Sequence, residues 1–190
     1  LTPEIKKTIE QNIALTREKS RDVDGDTADI RFALRRLTPE DAHALTSLYG
    51  IVFESYPFPI FEREYIVHTM ENDSIAYYGA FDGKNTLVAA SSAEMDKVSL
   101  NAEMTDFATH PESRGHNIAL HLLRFMEADM LQRRMKVLYT IARAMSAGMN
   151  ITFGRAGYTY TGTLVNNTNI SGHIESMNVW CKRLLGIVTS

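Results

Sequence analysis

The 190-residue sequence is short of the features that mark several classes of protein. Cys181 is its only cysteine, so no intrachain disulfide can form, and a reducing, cytoplasmic setting is expected. No apolar run approaches the roughly 18 residues that a membrane-spanning helix needs, and no signal-peptide pattern opens the chain. Positive charge is not in excess: 20 Lys and Arg stand against 23 Asp and Glu. That balance argues against general nucleic-acid binding, which draws on a strong basic surplus. Metal-ligand spacing is missing too. His110, His116 and His121 are close in sequence, but the last two are spaced i, i+5, where two ligands on one helix face need i, i+4. No metal site is expected.

What is present is an ordered run of helix and strand signals. Thr2-Pro3-Glu4 supplies a hydroxyl cap, a first-position proline and an acid, and Ile5, Ile9 and Ile13 follow on one face. This predicts a short helix, with the polar stretch "SRDVDGDTAD" as a linker. Residues 1–28 are therefore expected to precede a main domain at 29–190. "IRFALRRL" predicts a first strand. Thr38-Pro39-Glu40-Asp41 then repeats the helix-start signature ahead of Leu45, Leu48, Tyr49 and Val52. The prolines of "SYPFPIF" break that helix, and a second follows through Tyr65, Ile66 and Met70. "SIAYYGAF", Asp82-Gly83 and "TLVAASSAEM" read as a hairpin. "NAEMTDFATH" is a further strand, Asn117 to Arg134 an amphipathic helix, "KVLYTIARA" a strand, and "SAGMNITFGRA" a helix closed by Gly157. Strands through "YTYTGTLV" and "HIESMNVWCKRL" end the chain. The fold class is α/β (α+β), with a mixed, mostly antiparallel twisted sheet and helices on both faces. The methionines fall mainly at core spacing and read as packing.

The junction "THPESRGHNIAL" carries the first chemical signal. A strand ends, a basic residue and a glycine follow, and a helix begins. The unpaired N–H groups of a first helical turn and the positive end of its dipole suit an anion such as a pyrophosphate. Arg114 adds charge and Gly115 permits close approach. Asn117 is expected to take the left-handed conformation that a second glycine would supply. A plain helix cap with a surface arginine is the competing reading of these six residues.

The arrangement resembles the GNAT superfamily of acetyl-CoA-dependent N-acetyltransferases, whose strand–loop–helix signature is Arg/Gln-x-x-Gly-x-Gly/Ala. Arg114, Gly115, His116, Asn117, Ile118 and Ala119 correspond to it, with Asn117 where glycine is usual, and the element order agrees from Ile30 to Leu184. "VFESYPFPIF", "NAEMTDFATHPESRG", "YTIARAMSAGMNITF" and "LVNNTNISGHIESMNVW" look further like the β-lysine N-acetyltransferase family. Its members acetylate the distal amine of β-lysine to make an osmoprotectant. They usually carry an extra N-terminal region, so the resemblance implies that residues 1–28 are the tail of one.

From that resemblance the site residues follow. Acetyl-CoA is the implied cosubstrate, with no metal. Phe107, Ala108 and Thr109 are expected to meet its pantetheine arm through main-chain groups, and Asn150 and Phe153 to contact it from the last helix. The amine attacks the thioester directly in a ternary complex, which requires a base and an oxyanion donor. Glu103 is the expected base, directly or through water. Asp106 is expected to bind a substrate ammonium or to pin the loop. Three residues apart, the two face opposite sides of a regular strand, so both reach the site only across a bulge. Many relatives protonate the departing thiolate with a tyrosine at the position of Phe153, which has no proton to give. Either Tyr139 or Tyr160 takes that part, or the thiolate leaves unaided. Arg143 is expected to meet the substrate carboxylate and Glu175 its inner ammonium. Asn166, Asn167 and Asn169 supply a polar cluster, and Tyr56 and Phe58 a wall.

Two other readings remain open. The acceptor is another small amine, such as lysine or a polyamine, or the domain binds acetyl-CoA without turning it over. Neither nucleic acid nor membrane is expected as a partner. The exposed edge of such a sheet makes a homodimer the assembly to look for.

Overall fold

The computed structural model describes residues 2–19 and 31–184. The expected linker at 20–29 and the start of the first expected strand at Ile30 lie outside them. Among the described residues no helix is long and apolar enough to cross a membrane.

The elements run α1 (Pro3–Lys19), β1 (Ala33–Arg36), α2 (Ala42–Val52), α3 (Arg63–Glu71), β2 (Ile75–Phe81), β3 (Leu87–Asp96), β4 (Asn101–Thr109), α4 (Ile118–Gln132), β5 (Val137–Arg143), α5 (Ala147–Arg155), β6 (Thr159–Ile170) and β7 (His173–Arg183). Short 3₁₀ turns at Pro39–Asp41 and Pro111–Ser113 lead towards α2 and α4. The seven strands form one sheet in the order β1-β2-β3-β4-β5-β7-β6. Every neighbouring pair is antiparallel except β4 and β5, which α4 joins as a crossover. The mixed, mostly antiparallel sheet expected from the sequence is what forms.

Strand periodicity builds two cores. On β2, Ala76, Tyr78 and Ala80 pack with α4 and with Phe153 of α5, whereas Ile75, Tyr77 and Phe81 pack with α2 and α3. Alternate side chains of one strand thus serve opposite faces, and the sheet is covered on both. On α4 the stripe of Ile118, Leu122, Met126 and Met130 is buried against the sheet. Helix α1 lies on α5, with Ile9 buried and Asn12 Nδ2 donating to the Ala144 carbonyl at 3.0 Å.

Three local expectations change. The first strand begins at Ala33 and is only four residues long. The β2–β3 connection is a five-residue loop rather than a tight Asp-Gly turn, since Phe81 pairs with Leu87. Its positive φ falls on Asn85, +61°, while Asp82 Oδ1 accepts from the Lys84 and Thr86 amides. Lastly, the asparagine-rich stretch belongs to strand β6, which runs on to Ile170. Ser171 and Gly172 both have positive φ, +47° and +84°, the geometry of a two-residue turn whose twist matches its strands. Pairing therefore continues to Ile170 opposite His173, interrupted by a register shift between Leu164 and Thr168.

Candidate active site

The parallel pair β4–β5 is hydrogen-bonded only from Asn101–Glu103 to Val137–Tyr139. Beyond Glu103 the strands part, leaving one edge of the β4 main chain without a strand partner. β4 stays paired with β3 on its other edge through Thr109. Phe107, Ala108 and Thr109 thus form a free backbone edge facing the gap, whose N–H and C=O groups need partners from elsewhere.

A bulge sits in the same stretch. Ala90 pairs with Ala108 but Ser92 with Thr105, so β4 carries one extra residue, and Asp106 has φ +54°. One inserted residue reverses the facing of a strand. Met104 points to the α4 core and Ala108 to the α2–α3 core. As a result Glu103, Thr105, Asp106 and Phe107 all line one cavity of about 880 Å³. The bulge that the Glu103–Asp106 spacing requires is there.

Asp106 is 6% exposed and heavily bonded. Ser92 Oγ donates to Oδ2 at 2.6 Å, Thr105 Oγ1 to Oδ1 at 3.4 Å, and the Tyr56 hydroxyl to Oδ1. Burial raises its pKa, and these hydrogen bonds oppose the rise. Glu103 has the pKa of a base suited to neutral pH: burial, then the nearby Glu94 and Asp106, push it up to about 7, against a hydrogen bond from Tyr139. Nothing in the residue pattern pointed to Glu94. It lies directly opposite Glu103 on β3, lines the same cavity, and is itself raised by burial and by Asp106. Only the hairpin register, which periodicity leaves open, brings it to the site.

The cavity's roof comes from two loops. Ser55, in the segment after α2, meets Ser171 at the β6–β7 turn, Oγ to Oγ 3.2 Å. Tyr56, Phe58, Asn167 and Asn169 line the space beneath, as does Arg143 from the end of β5. Asn166 does not; its amide donates to Ser176 Oγ at 3.1 Å within the hairpin. Arg143 and Glu175 are bound to each other, Nε to Oε2 at 2.8 Å and Nη2 to Oε1 at 2.6 Å. Glu175 is outside the cavity lining, and this forked pairing orients Arg143.

Two further expectations need revision. Asn150 is fully buried, and its amide is used up within the fold. Nδ2 donates to the Arg143 and Ser146 carbonyls at 3.0 and 2.6 Å, and Oδ1 accepts from Asn178 Nδ2 and Trp180 Nε1 at 3.0 and 2.8 Å. Two donors and two lone pairs are all that an asparagine side chain has, so Asn150 ties α5 to β5 and β7 and has nothing left for a cofactor. Tyr139 is engaged with Glu103 and is not part of the cavity lining, and Tyr160 pairs with Thr163 Oγ1 at 2.7 Å. Phe153 does line the cavity, packed edge-on against Phe107 with ring centroids 5.6 Å apart.

At the start of α4, Gly115 and Asn117 both take left-handed backbone, φ +86° and +54°. A Cβ at Gly115 would meet nothing within 4 Å, so the conformation, rather than crowding, calls for glycine. Asn117 caps the helix, and its Oδ1 accepts from Arg155 Nη1 at 3.1 Å. His116 Nδ1 lies 3.1 Å from Arg31 Nη2. The loop thus presents the first-turn amides of α4 among Arg31, Arg114 and Arg155, an arrangement suited to a polyanion.

A splayed parallel strand pair, a bulge at the fork and an anion-ready helix start define an acyl-transfer fold, and the comparisons agree. The chain belongs to the acetyltransferase (GNAT) family, whose match spans residues 43–149. It is 45% identical over 154 residues to a β-lysine N(6)-acetyltransferase of Methanococcus maripaludis, covering 81% of this chain and 56% of that protein. It is 39% identical over 153 residues to the N-acetyltransferase YodP of Bacillus subtilis, covering 80% and 55%. The chain therefore spans little more than half the length of these curated relatives. Among solved structures, a dodecameric spermidine N-acetyltransferase from Vibrio cholerae superposes with a TM-score of 0.69 at 15% identity, over 80% of this chain and 94% of that one. A ribosomal-protein-S5-alanine acetyltransferase from Vibrio fischeri gives 0.70 at 11% identity, over 84% and 97%. At such identities the structures show the fold alone.

Proposed function

We propose that this domain transfers the acetyl group of acetyl-CoA to the distal amine of β-lysine, by direct attack within a ternary complex. The observation that carries the reaction is the fork. A half-buried carboxylate with a pKa near 7, Glu103, shares a cavity with the unpaired edge of β4. The names of the two β-lysine N(6)-acetyltransferases, 45% and 39% identical, support the acceptor.

Bound acetyl-CoA supplies the thioester that is cleaved. The chain's own residues do the rest. Amides at the start of α4, with Arg114, hold the pyrophosphate, and the free edge at Phe107–Thr109 pairs with the pantetheine arm. Glu103 takes the proton from the ammonium, directly or through water, so that the amine can attack. A main-chain N–H at the β4 bulge polarises the carbonyl. Asp106, already saturated by Tyr56, Ser92 and Thr105, pins the roof segment to β4. The CoA thiolate, whose thiol has a pKa of about 8–9, leaves with no protein acid, and the second proton shed by the attacking nitrogen passes to that thiolate or to water. Arg143, held by Glu175, receives the substrate carboxylate at the mouth. Residues 29–190 form the catalytic domain.

Mixing the protein with acetyl-CoA and β-lysine, lysine or spermidine, and following CoA release and product mass, tests this reading. Selective acetylation of β-lysine is the expected result. A preference for spermidine would shift the acceptor to the polyamines, and acetyl-CoA binding without turnover on any amine would mean a binding module.

A further inference from the structure

The acidic wall of the cavity holds more negative charge than proton abstraction needs. Glu94 and Glu103 are direct partners across β3 and β4, which sets their Cβ atoms about 4.5–5.5 Å apart, and like charges so placed repel. Asp106 adds a third carboxylate to the same lining. Among the described residues no Lys, Arg or His forms an ion pair with any of the three. The nearby bases are committed elsewhere: Lys97 and Arg133 to Asp73, Arg143 to Glu175. Three half-buried or buried acids without a cation are costly to keep charged.

Among the described residues, the one guanidinium in the cavity lining belongs to Arg143, at the end of β5 and half exposed. The cavity is therefore bipolar, with one cationic group at its mouth and uncompensated acid on the β3–β4 wall.

We infer that Glu94 is a specificity residue that holds a second ammonium of the acceptor, so that the cavity selects a diamino acid over a monoamine of equal length. This rests on the reading of the cavity as the acetyl-acceptor site. Glu103 serves the amine that reacts, and Glu94 the one that does not. Two other acids are near: Glu54 lines the cavity from the exposed segment after α2, and Glu175 lies outside the lining, paired with Arg143. One charge-assisted hydrogen bond in a partly desolvated site corresponds to about a ten- to hundredfold preference.

The test compares β-lysine with 6-aminohexanoate, which keeps the carboxylate and the distal amine but lacks the inner amine. Each is measured with the wild-type chain, Glu94→Gln and Glu94→Asp, by kcat/KM and by calorimetric Kd with CoA bound. The wild type is expected to prefer β-lysine by at least tenfold. Glu94→Gln should lose most of that preference, its loss falling on β-lysine far more than on 6-aminohexanoate, and Glu94→Asp should keep part of it. An equal loss on both compounds would overturn the inference and make Glu94 a general or structural contributor. So would a wild type that shows no preference. The Kd values decide the matter even without turnover, because a chain that binds β-lysine selectively through Glu94 and yet fails to acetylate it refutes the reaction, not the subsite.

Discussion

Tyr139 sits directly opposite Glu103 on the last paired rung of the sheet's one parallel junction, and its hydroxyl favours the charged form of that carboxylate. Just past that rung the strands separate, so the carboxylate sits at the apex of the fork, between a rigid ladder and an open cavity. Its pKa of about 7 reflects burial first and the field of Glu94 and Asp106 second. A base in this position must be ionised to work. The expected kcat/KM profile therefore rises with pH and levels off above about pH 7. Tyr139→Phe removes a hydroxyl that favours the charged form of Glu103, so it should move the acid limb upward by about half to one pH unit. The pH–rate profiles of the two proteins check this, and an unmoved limb would assign it to another group, such as Glu94.

The same shift makes a stability prediction of definite sign. The Glu103 pKa is raised in the folded state, from 4.5 to about 7, so the folded protein binds the proton more tightly than the unfolded chain does. The favourable contribution of the neutral acid is complete below about pH 4.5 and lost as pH rises through about 7. Glu103→Gln keeps a neutral group at every pH. It should match the wild type at pH 5 and exceed it at pH 8 by an amount on the order of 1–3 kcal/mol. Urea denaturation at the two pH values measures the difference.

Much of the architecture could be read from the chain because it depends on local rules. The stripe on α4 has helical spacing, and the Gly115–Asn117 loop announces a helix start. The left-handed φ of Asn117 follows from the signature around it. What escaped depends on register. Whether Glu103 and Asp106 share a cavity turns on one inserted residue in β4, and Glu94 reaches the site only because β3 pairs with β4 in one alignment of several that periodicity allows. The tail of β6 was hidden differently: Asn, Ser and Gly favour turns, yet here pairing resumes after a register shift, from Thr168 to Ile170, and only Ser171 and Gly172 form the turn. Asn150 was expected at the cofactor from the resemblance alone, and nothing local shows that Trp180 and Asn178 converge on it.

The Asn150 network itself is open to test. Asn150→Ala leaves the Trp180 indole N–H and the Asn178 amide buried without their acceptor, and frees two carbonyls. Each unsatisfied buried group costs about 1–3 kcal/mol, partly relieved by relaxation. The expected loss of stability is about 2–4 kcal/mol, measured by denaturant unfolding. If Asn150 instead served acetyl-CoA, the substitution would weaken acetyl-CoA binding with little change in stability.

At the phosphate loop, conformation and side chain can be separated. Asn117 occupies a left-handed position that glycine accepts freely and a β-branched residue resists. Asn117→Gly gives up the hydrogen bond from Arg155 but keeps the backbone path, so acetyl-CoA affinity should stay within about threefold. Asn117→Val should distort the first turn of α4 and weaken binding by about tenfold or more. Calorimetry on the three proteins reads both effects. Equal losses in the two variants would mean that the asparagine side chain, not the backbone, meets the cofactor.

Arg143 decides between an amino acid and a polyamine as acceptor. Its guanidinium uses Nε and Nη2 on Glu175, a forked pairing that fixes the plane of the group while leaving Nη1 for a second anion. A substrate carboxylate met in this way is bound equally in ground and transition states. Arg143→Ala should therefore raise KM for β-lysine by about ten- to hundredfold with kcat nearly kept. Glu175→Gln should produce a smaller rise of the same kind, since it loosens the orientation of Arg143 and removes no contact with substrate. A spermidine acceptor has no carboxylate, so its KM should not rise in Arg143→Ala. If KM for β-lysine did not change either, Arg143 would be a surface ion pair closing the β5–β7 edge, and the carboxylate would have to be met by the asparagines of β6.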